Sequence, residues 1–132
     1  MLAIVIVSHS EDAARGIAQI AASMTGECLV EIVGVGGDDE GGLGVSVAKI
    51  QDALSLLIPK AEGILVIPDL GSSMLASRIA IDMLSTEDAA KVVIVDAPIL
   101  EGALLAAVEA SCGASLEKIA EAAKEARNLE KV

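Results

Sequence analysis

Short, unbroken apolar runs alternate along this chain with longer stretches in which apolar residues recur every three or four positions. Leu2-Ala3-Ile4-Val5-Ile6-Val7 is continuous and rich in β-branched side chains, the pattern of a strand covered on both faces. Val30 to Val35, Gly63 to Ile67 and Val92 to Val95 repeat that character. Between them, Ala14, Ile17, Ala18, Ala21 and Met24 fall at helical spacing, as do Val47, Ile50, Leu54 and Leu57. A third helix is predicted from about Met74 to Leu84, with Ile79 and Met83 on one stripe. Two more are predicted, at roughly Glu101 to Ala110 and Leu116 to Asn128. Strict alternation of strand and helix predicts a parallel sheet with helices on both faces. The expected architecture is one doubly wound α/β domain over residues 1–132, with flavodoxin-like strand order 2-1-3-4 and 114–132 as a C-terminal helix.

Composition sharpens that picture. The 132 residues are 54% hydrophobic, yet Phe, Trp and Tyr are all absent. The core must therefore be built from small aliphatic side chains, which suits close packing of helix on sheet. The same absence removes the aromatic platforms on which single-stranded nucleic acid stacks. A formal net charge of −11 and a sequence pI near 4.3 oppose polyanions, so neither nucleic acid nor an anionic membrane is an expected partner. Cys28 and Cys112 stand far apart, with no CxxC and no adjacent histidine. They read as free, partly buried thiols of a reducing compartment, and no metal site is expected. The apolar opening run is too short to span a bilayer and has no basic segment before it, so a cytoplasmic protein is expected.

In an open parallel sheet, ligands bind beyond the carboxyl ends of the strands, where the strand order reverses. For order 2-1-3-4 that crevice lies between Ser8-His9-Ser10 and Pro68-Asp69-Leu70-Gly71-Ser72-Ser73. The chain's one histidine therefore falls at the expected site. Asp69, on the neighbouring exit loop, is placed to bond one imidazole nitrogen, which fixes the tautomer and leaves the other nitrogen nucleophilic. Such an imidazole suits in-line attack on a phosphoryl group. Ser10 at the start of the first helix, and Ser72 and Ser73 at the start of the third, offer hydroxyls and helix amides to an anion. Gly36 and Gly37 open the loop Gly36-Gly37-Asp38-Asp39-Glu40-Gly41-Gly42-Leu43-Gly44, whose amides can approach oxygen atoms closely. Each feature has a plainer explanation: Ser10 as only a cap, Asp69 as a solvated carboxylate, the glycines as only a turn. The loop has neither the Gly-Lys-Ser/Thr ending of a phosphate-binding P-loop nor the GxGxxG fingerprint. Gly-x-Ser-x-Gly is missing too, and Lys91 precedes the fourth strand, at the wrong end to assist an aspartyl phosphate.

Ile6-Val7-Ser8-His9-Ser10, Pro68-Asp69-Leu70-Gly71-Ser72-Ser73 and Ala97-Pro98-Ile99-Leu100-Glu101-Gly102-Ala103 resemble, in this order, the phosphotransferase subunit of bacterial dihydroxyacetone kinase, DhaM. That group belongs with the mannose-type EIIA domains of the phosphoenolpyruvate-dependent sugar phosphotransferase system. The likeness runs from Met1 to about Gly113. It implies a mannose-type EIIA fold and a relay from phosphoenolpyruvate through enzyme I to HPr, then to a histidine matching His9. The phosphohistidine would next rephosphorylate ADP in the nucleotide-binding kinase subunit, whose ATP phosphorylates dihydroxyacetone. The resemblance implies His9 as the covalent acceptor, Asp69 as its support, a homodimer, and no cofactor.

The 132 residues contain no HPr-like or enzyme I-like stretch, so both are expected as separate proteins. Two alternatives stay open: a mannose-family EIIA component serving a sugar permease, and a regulatory module controlled by phosphorylation of His9. The sequence also leaves open which imidazole nitrogen reacts and where a dimer would form, with the small-residue helix Gly102 to Ala110 as one candidate face. Apart from Arg15, no cation lies near His9 in sequence, so charge compensation is expected from HPr and from metal ions on the acceptor's nucleotide.

Overall fold

The computed structural model describes residues 1–26 and 30–132; Cys28 lies outside the described residues. Strand β1 (Leu2–Ser8) leads to helix α1 (Glu11–Ala22), then β2 (Val30–Gly36), α2 (Val47–Leu57), β3 (Gly63–Pro68) and α3 (Gly71–Asp82). A short helix α4 (Thr86–Ala89), strand β4 (Val92–Ile94), α5 (Ile99–Ser111), α6 (Leu116–Glu125) and a 3-10 turn at Ala126–Asn128 complete the chain. The four strands are parallel in the order β2-β1-β3-β4, as expected from their alternation with helices.

The two-residue period of β1 divides the core into two layers. Ala3, Val5 and Val7 face one way and pack with Ile50 and Leu54 of α2 and Ala76 and Ala80 of α3. Ile4 and Ile6 face the other way, against Ala18 and Ala21 of α1, Ala103, Ala106 and Ala107 of α5, and Ile119 and Ala123 of α6. All five residues from Ala3 to Val7 are fully buried. Without aromatic rings, this layer of alanines brings helix axes close to the sheet, so small side chains still fill it.

Glycine does the same work on β2. A Cβ on Gly34 would stand 2.5 Å from the Ala14 carbonyl oxygen, and one on Gly36 would collide with the Ser10 carbonyl. The start of α1 therefore lies directly on the β2 backbone, and His9 is held just ahead of that contact.

Several expectations are corrected. Helix α3 begins at Gly71, not near Met74, and the stripe containing Ile79 and Met83 faces outward. Its inner face is Ser73, Ala76, Ser77 and Ala80, small enough to approach the sheet. The small-residue face of α5 is buried in the monomer, where Gly102 packs on Ala97 and Ala123, so it offers no free dimer surface. Cys112 is exposed at the end of α5 and not partly buried, because the helix stops there in a turn through Gly113 at φ +86°.

A candidate phosphoryl-acceptor site at His9

The parallel register sets the site. Val7 of β1 pairs with Pro68 of β3, and the Asp69 amide continues the ladder by donating to the Val7 carbonyl at 2.9 Å. The first residues beyond the two central strands, His9 and Asp69, are thereby brought side by side. On the other flank, the Gly44 amide donates to the His9 carbonyl at 2.8 Å, tying the glycine-rich loop to the same backbone.

Asp69 accepts four hydrogen bonds. Its Oδ2 takes the Ser8 hydroxyl and the His9 backbone amide, each at 3.0 Å. Its Oδ1 takes His9 Nδ1 at 3.0 Å and the Ser73 hydroxyl at 2.6 Å. Burial by itself raises the pKa of this carboxyl, but the bonds from Ser73, the His9 amide, the His9 ring and Ser8 outweigh it and lower the pKa to about 2. Asp69 is therefore an anion at neutral pH. An anion facing Nδ1 requires the ring proton on Nδ1, so the lone pair of neutral His9 is on Nε2. Nε2 points outward and receives the Ser72 hydroxyl at 2.7 Å. The His9 side chain is 30% exposed, and Asp69 behind it is 17% exposed.

Helix α3 begins at this point without a side-chain cap, Leu70 being its N-cap residue. Its first amides have no intrahelical partner, and the positive end of the helix dipole faces the ring. Beside the pair, a groove of about 350 Å³ is lined by Pro68, Asp69, Leu70, Gly71, Met74 and Asp96. The arrangement combines an imidazole nitrogen at the surface, a partly buried anion behind it and the first turn of α3, whose Ser72 and Ser73 hydroxyls reach the ring, which is equipment for holding a tetrahedral anion on Nε2.

The sequence-predicted residues fall into two groups. His9, Asp69, Ser72 and Ser73 form one hydrogen-bonded cluster, although the Ser73 hydroxyl is fully buried on the Nδ1 side. Ser10 caps α1, its Oγ accepting from the Ala13 amide at 3.1 Å. Gly36 ends β2, and Gly37 turns the chain at φ +83° and bridges to Val45. Neither glycine is hydrogen-bonded to the imidazole. Sequence reasoning missed Ser8, whose hydroxyl reaches Asp69, and also Lys49. The Lys49 ammonium donates to the Gly36 carbonyl at 3.3 Å, placing a cation at the end of the edge strand β2, forty residues from His9 in sequence. Arg15, the cation nearest His9 in sequence, pairs with Glu11 at 2.9 Å. Among the described residues, no helix is long and apolar enough to cross a membrane.

The chain resembles known proteins in sequence and in fold. Residues 3–120 match the EIIA-man family model, described as PTS system fructose IIA component. The chain is 36% identical over 119 residues to the Listeria innocua PEP-dependent dihydroxyacetone kinase 2, phosphoryl donor subunit DhaM, covering 90% of this chain and 94% of that relative. Identity to the Lactococcus lactis PTS-dependent dihydroxyacetone kinase, phosphotransferase subunit DhaM, is 30% over 118 residues, with 89% of each covered. The Escherichia coli DhaM is 34% identical over 121 residues, but this chain spans only 25% of its length. Among solved structures, a protein of unknown function, EF1359, superimposes with a TM-score of 0.82 at 34% identity, covering 93% of this chain and 92% of the other.

Proposed function

Because the chain belongs to the EIIA-man family, among its DhaM phosphoryl donor subunits, we propose that it carries phosphoryl groups on Nε2 of His9. Phospho-HPr is the donor in this reading, and ADP held in the nucleotide-binding subunit of dihydroxyacetone kinase is the acceptor. The carrier acts in the cytoplasm, as a homodimer and without a cofactor.

The single observation that supports this reading is the division of the imidazole between two environments. Nδ1 faces the Asp69 carboxylate at 3.0 Å, while Nε2 faces the surface. The Nε2 lone pair attacks phosphorus in line with the donor imidazole, whose N–P bond breaks as the Nε2–P bond forms. The ring gains positive character that the Asp69 anion balances, and the proton stays on Nδ1 throughout. In the second transfer an oxygen of the ADP β-phosphate attacks phosphorus, the Nε2–P bond breaks, and neutral His9 is restored. Ser72, which donates to the free lone pair, turns to donate to a phosphoryl oxygen, joined by the first amides of α3. The donor's own cations and metal ions on the acceptor's nucleotide supply the remaining positive charge.

The test is intact-mass detection of phosphoryl transfer from phosphoenolpyruvate with enzyme I and HPr, followed by addition of the ADP-loaded kinase subunit. One phosphoryl group should be gained, be lost on adding the acceptor, and be missing in His9→Ala. A wild-type chain that gains nothing from phospho-HPr sinks the proposal.

A further inference from the structure

We infer that Ser73 is a positioning residue, whose buried hydroxyl selects the imidazole tautomer and thereby decides which nitrogen of His9 is the nucleophile. Ser73 Oγ lies 2.6 Å from Asp69 Oδ1 and 3.1 Å from His9 Nδ1, and the side chain is fully buried, out of contact with bulk solvent. A hydroxyl has one hydrogen to donate. Two oxygens at 2.6 Å need a hydrogen between them, and an ionised carboxylate has none, so the Ser73 hydrogen points at Asp69. The serine then turns a lone pair toward Nδ1. If Nδ1 also carried a lone pair, it would face two acceptors, Asp69 Oδ1 at 3.0 Å and Ser73 Oγ at 3.1 Å, with no hydrogen among them. Only the Nδ1–H tautomer satisfies all three atoms.

Asp69 alone does not impose this rule with the same force, because a carboxylate at the end of a loop can turn. Ser73 holds its Oδ1 in place, while Ser8 and the His9 amide hold its Oδ2. The helix fixes Ser73 in turn, since Ser77 donates to the Ser73 carbonyl at 2.7 Å from an equally buried position. Adjacent residues of α3 therefore divide the ring: Ser73 specifies the protonated nitrogen, and Ser72 attends the free one.

The chain's single histidine makes the test direct. Long-range proton–nitrogen NMR of the 15N-labelled protein reads the tautomer of that one ring in wild type, Ser73→Ala and Thr25→Val. Wild type should be dominated by Nδ1–H above the pH at which the ring deprotonates. Ser73→Ala should move the tautomer ratio toward Nε2–H by on the order of tenfold, the effect of removing one hydrogen bond that only the Nδ1–H form makes. Thr25→Val, which removes a buried hydroxyl bonded to the Ala22 carbonyl at the far end of α1, should leave the ratio unchanged. An unchanged ratio in Ser73→Ala, or equal shifts in both variants, overturns the inference. If Ser73→Ala does not fold, Ser73→Cys takes its place: the weakly bonding thiol should also move the ratio toward Nε2–H, and an unchanged ratio overturns the inference. The kinetic consequence, slower phosphorylation of Ser73→Ala by phospho-HPr, rests on the carrier proposal, whereas the tautomer ratio does not. Failure of one is thus distinguishable from failure of the other.

Discussion

Replacing Asp69 by Asn tests the site with almost no change of shape. The backbone amide of His9 is a fixed donor, so the Asn carbonyl oxygen must stay where Oδ2 was, accepting from that amide and from Ser8. The Asn NH2 then occupies the Oδ1 position, facing Ser73 Oγ and His9 Nδ1. A donor now meets Nδ1, so the ring proton moves to Nε2, the nitrogen that should attack. Two bonds to a charged acceptor are lost, each worth about 1.5–3 kcal/mol before the new Asn contacts offset part of the loss. The lowered carboxyl pKa, about 2 against an ordinary 3.8, gives a second measure. It corresponds to roughly 2 kcal/mol, and to about 1 kcal/mol after allowance for solvent screening at a side chain 17% exposed. Because the folded-state pKa is depressed, that stability is present above about pH 4, where the unfolded chain's carboxyl is ionised too. It is lost as the pH falls through 2. Asp69→Asn should therefore unfold at lower urea at neutral pH, with the gap to wild type closing between pH 4 and 2. Phosphorylation by phospho-HPr, followed by intact mass, should slow on the order of a hundredfold or more, the scale of removing a correctly placed proton-bearing group. Phosphorylation at the wild-type rate with the ring still in its Nδ1–H form would refute the reasoning, because the carboxylate would then set neither the tautomer nor the charge balance.

Other outcomes follow from the same contacts. Gly36→Ala should destabilise the chain by about 1–3 kcal/mol in urea denaturation, because its Cβ meets the rigid Ser10 carbonyl and not a flexible side chain. Equal stability of mutant and wild type would show that α1 can lift from β2. Ser72→Ala removes the one hydroxyl on Nε2 and should lower the phosphoryl transfer rate by on the order of tenfold while leaving the tautomer in place, as read by quench-flow mass spectrometry and NMR. A faster rate in that variant would instead make Ser72 an obstacle to the incoming group.

Much of this architecture was legible because the strands are uninterrupted apolar runs and the helices between them are periodic. Order 2-1-3-4 then confines the site to the loops after Val7 and Pro68, which places His9 beside Asp69 from topology alone. Helix α3 was harder to read. Its inner face is Ser73, Ala76, Ser77 and Ala80, which has no hydrophobic stripe, while Ile79 and Met83, which do form one, face solvent. Its true start at Gly71 was hidden for that reason, and with it the fact that Ser72 and Ser73 address opposite nitrogens. Helix α4, only four residues long, has no period to detect. Lys49 was out of reach because its approach to Gly36 depends on how α2 crosses the end of β2, which no local pattern encodes.

The bond from the Asp69 amide to the Val7 carbonyl makes the reactive pair the last rung of the central strand pairing. A slip of β3 past β1 by one residue would separate His9 from Asp69 and, in the same movement, exchange the side chains that β3 gives to the two buried layers. Acceptor and scaffold therefore fail together. Heat or denaturant should erase the ability to accept a phosphoryl group along the same curve that melts the sheet, with no earlier stage at which the chain is intact but inert. A carrier built this way needs no separate mechanism to keep its nucleophile aligned between partners, because alignment is a property of the folded state as a whole.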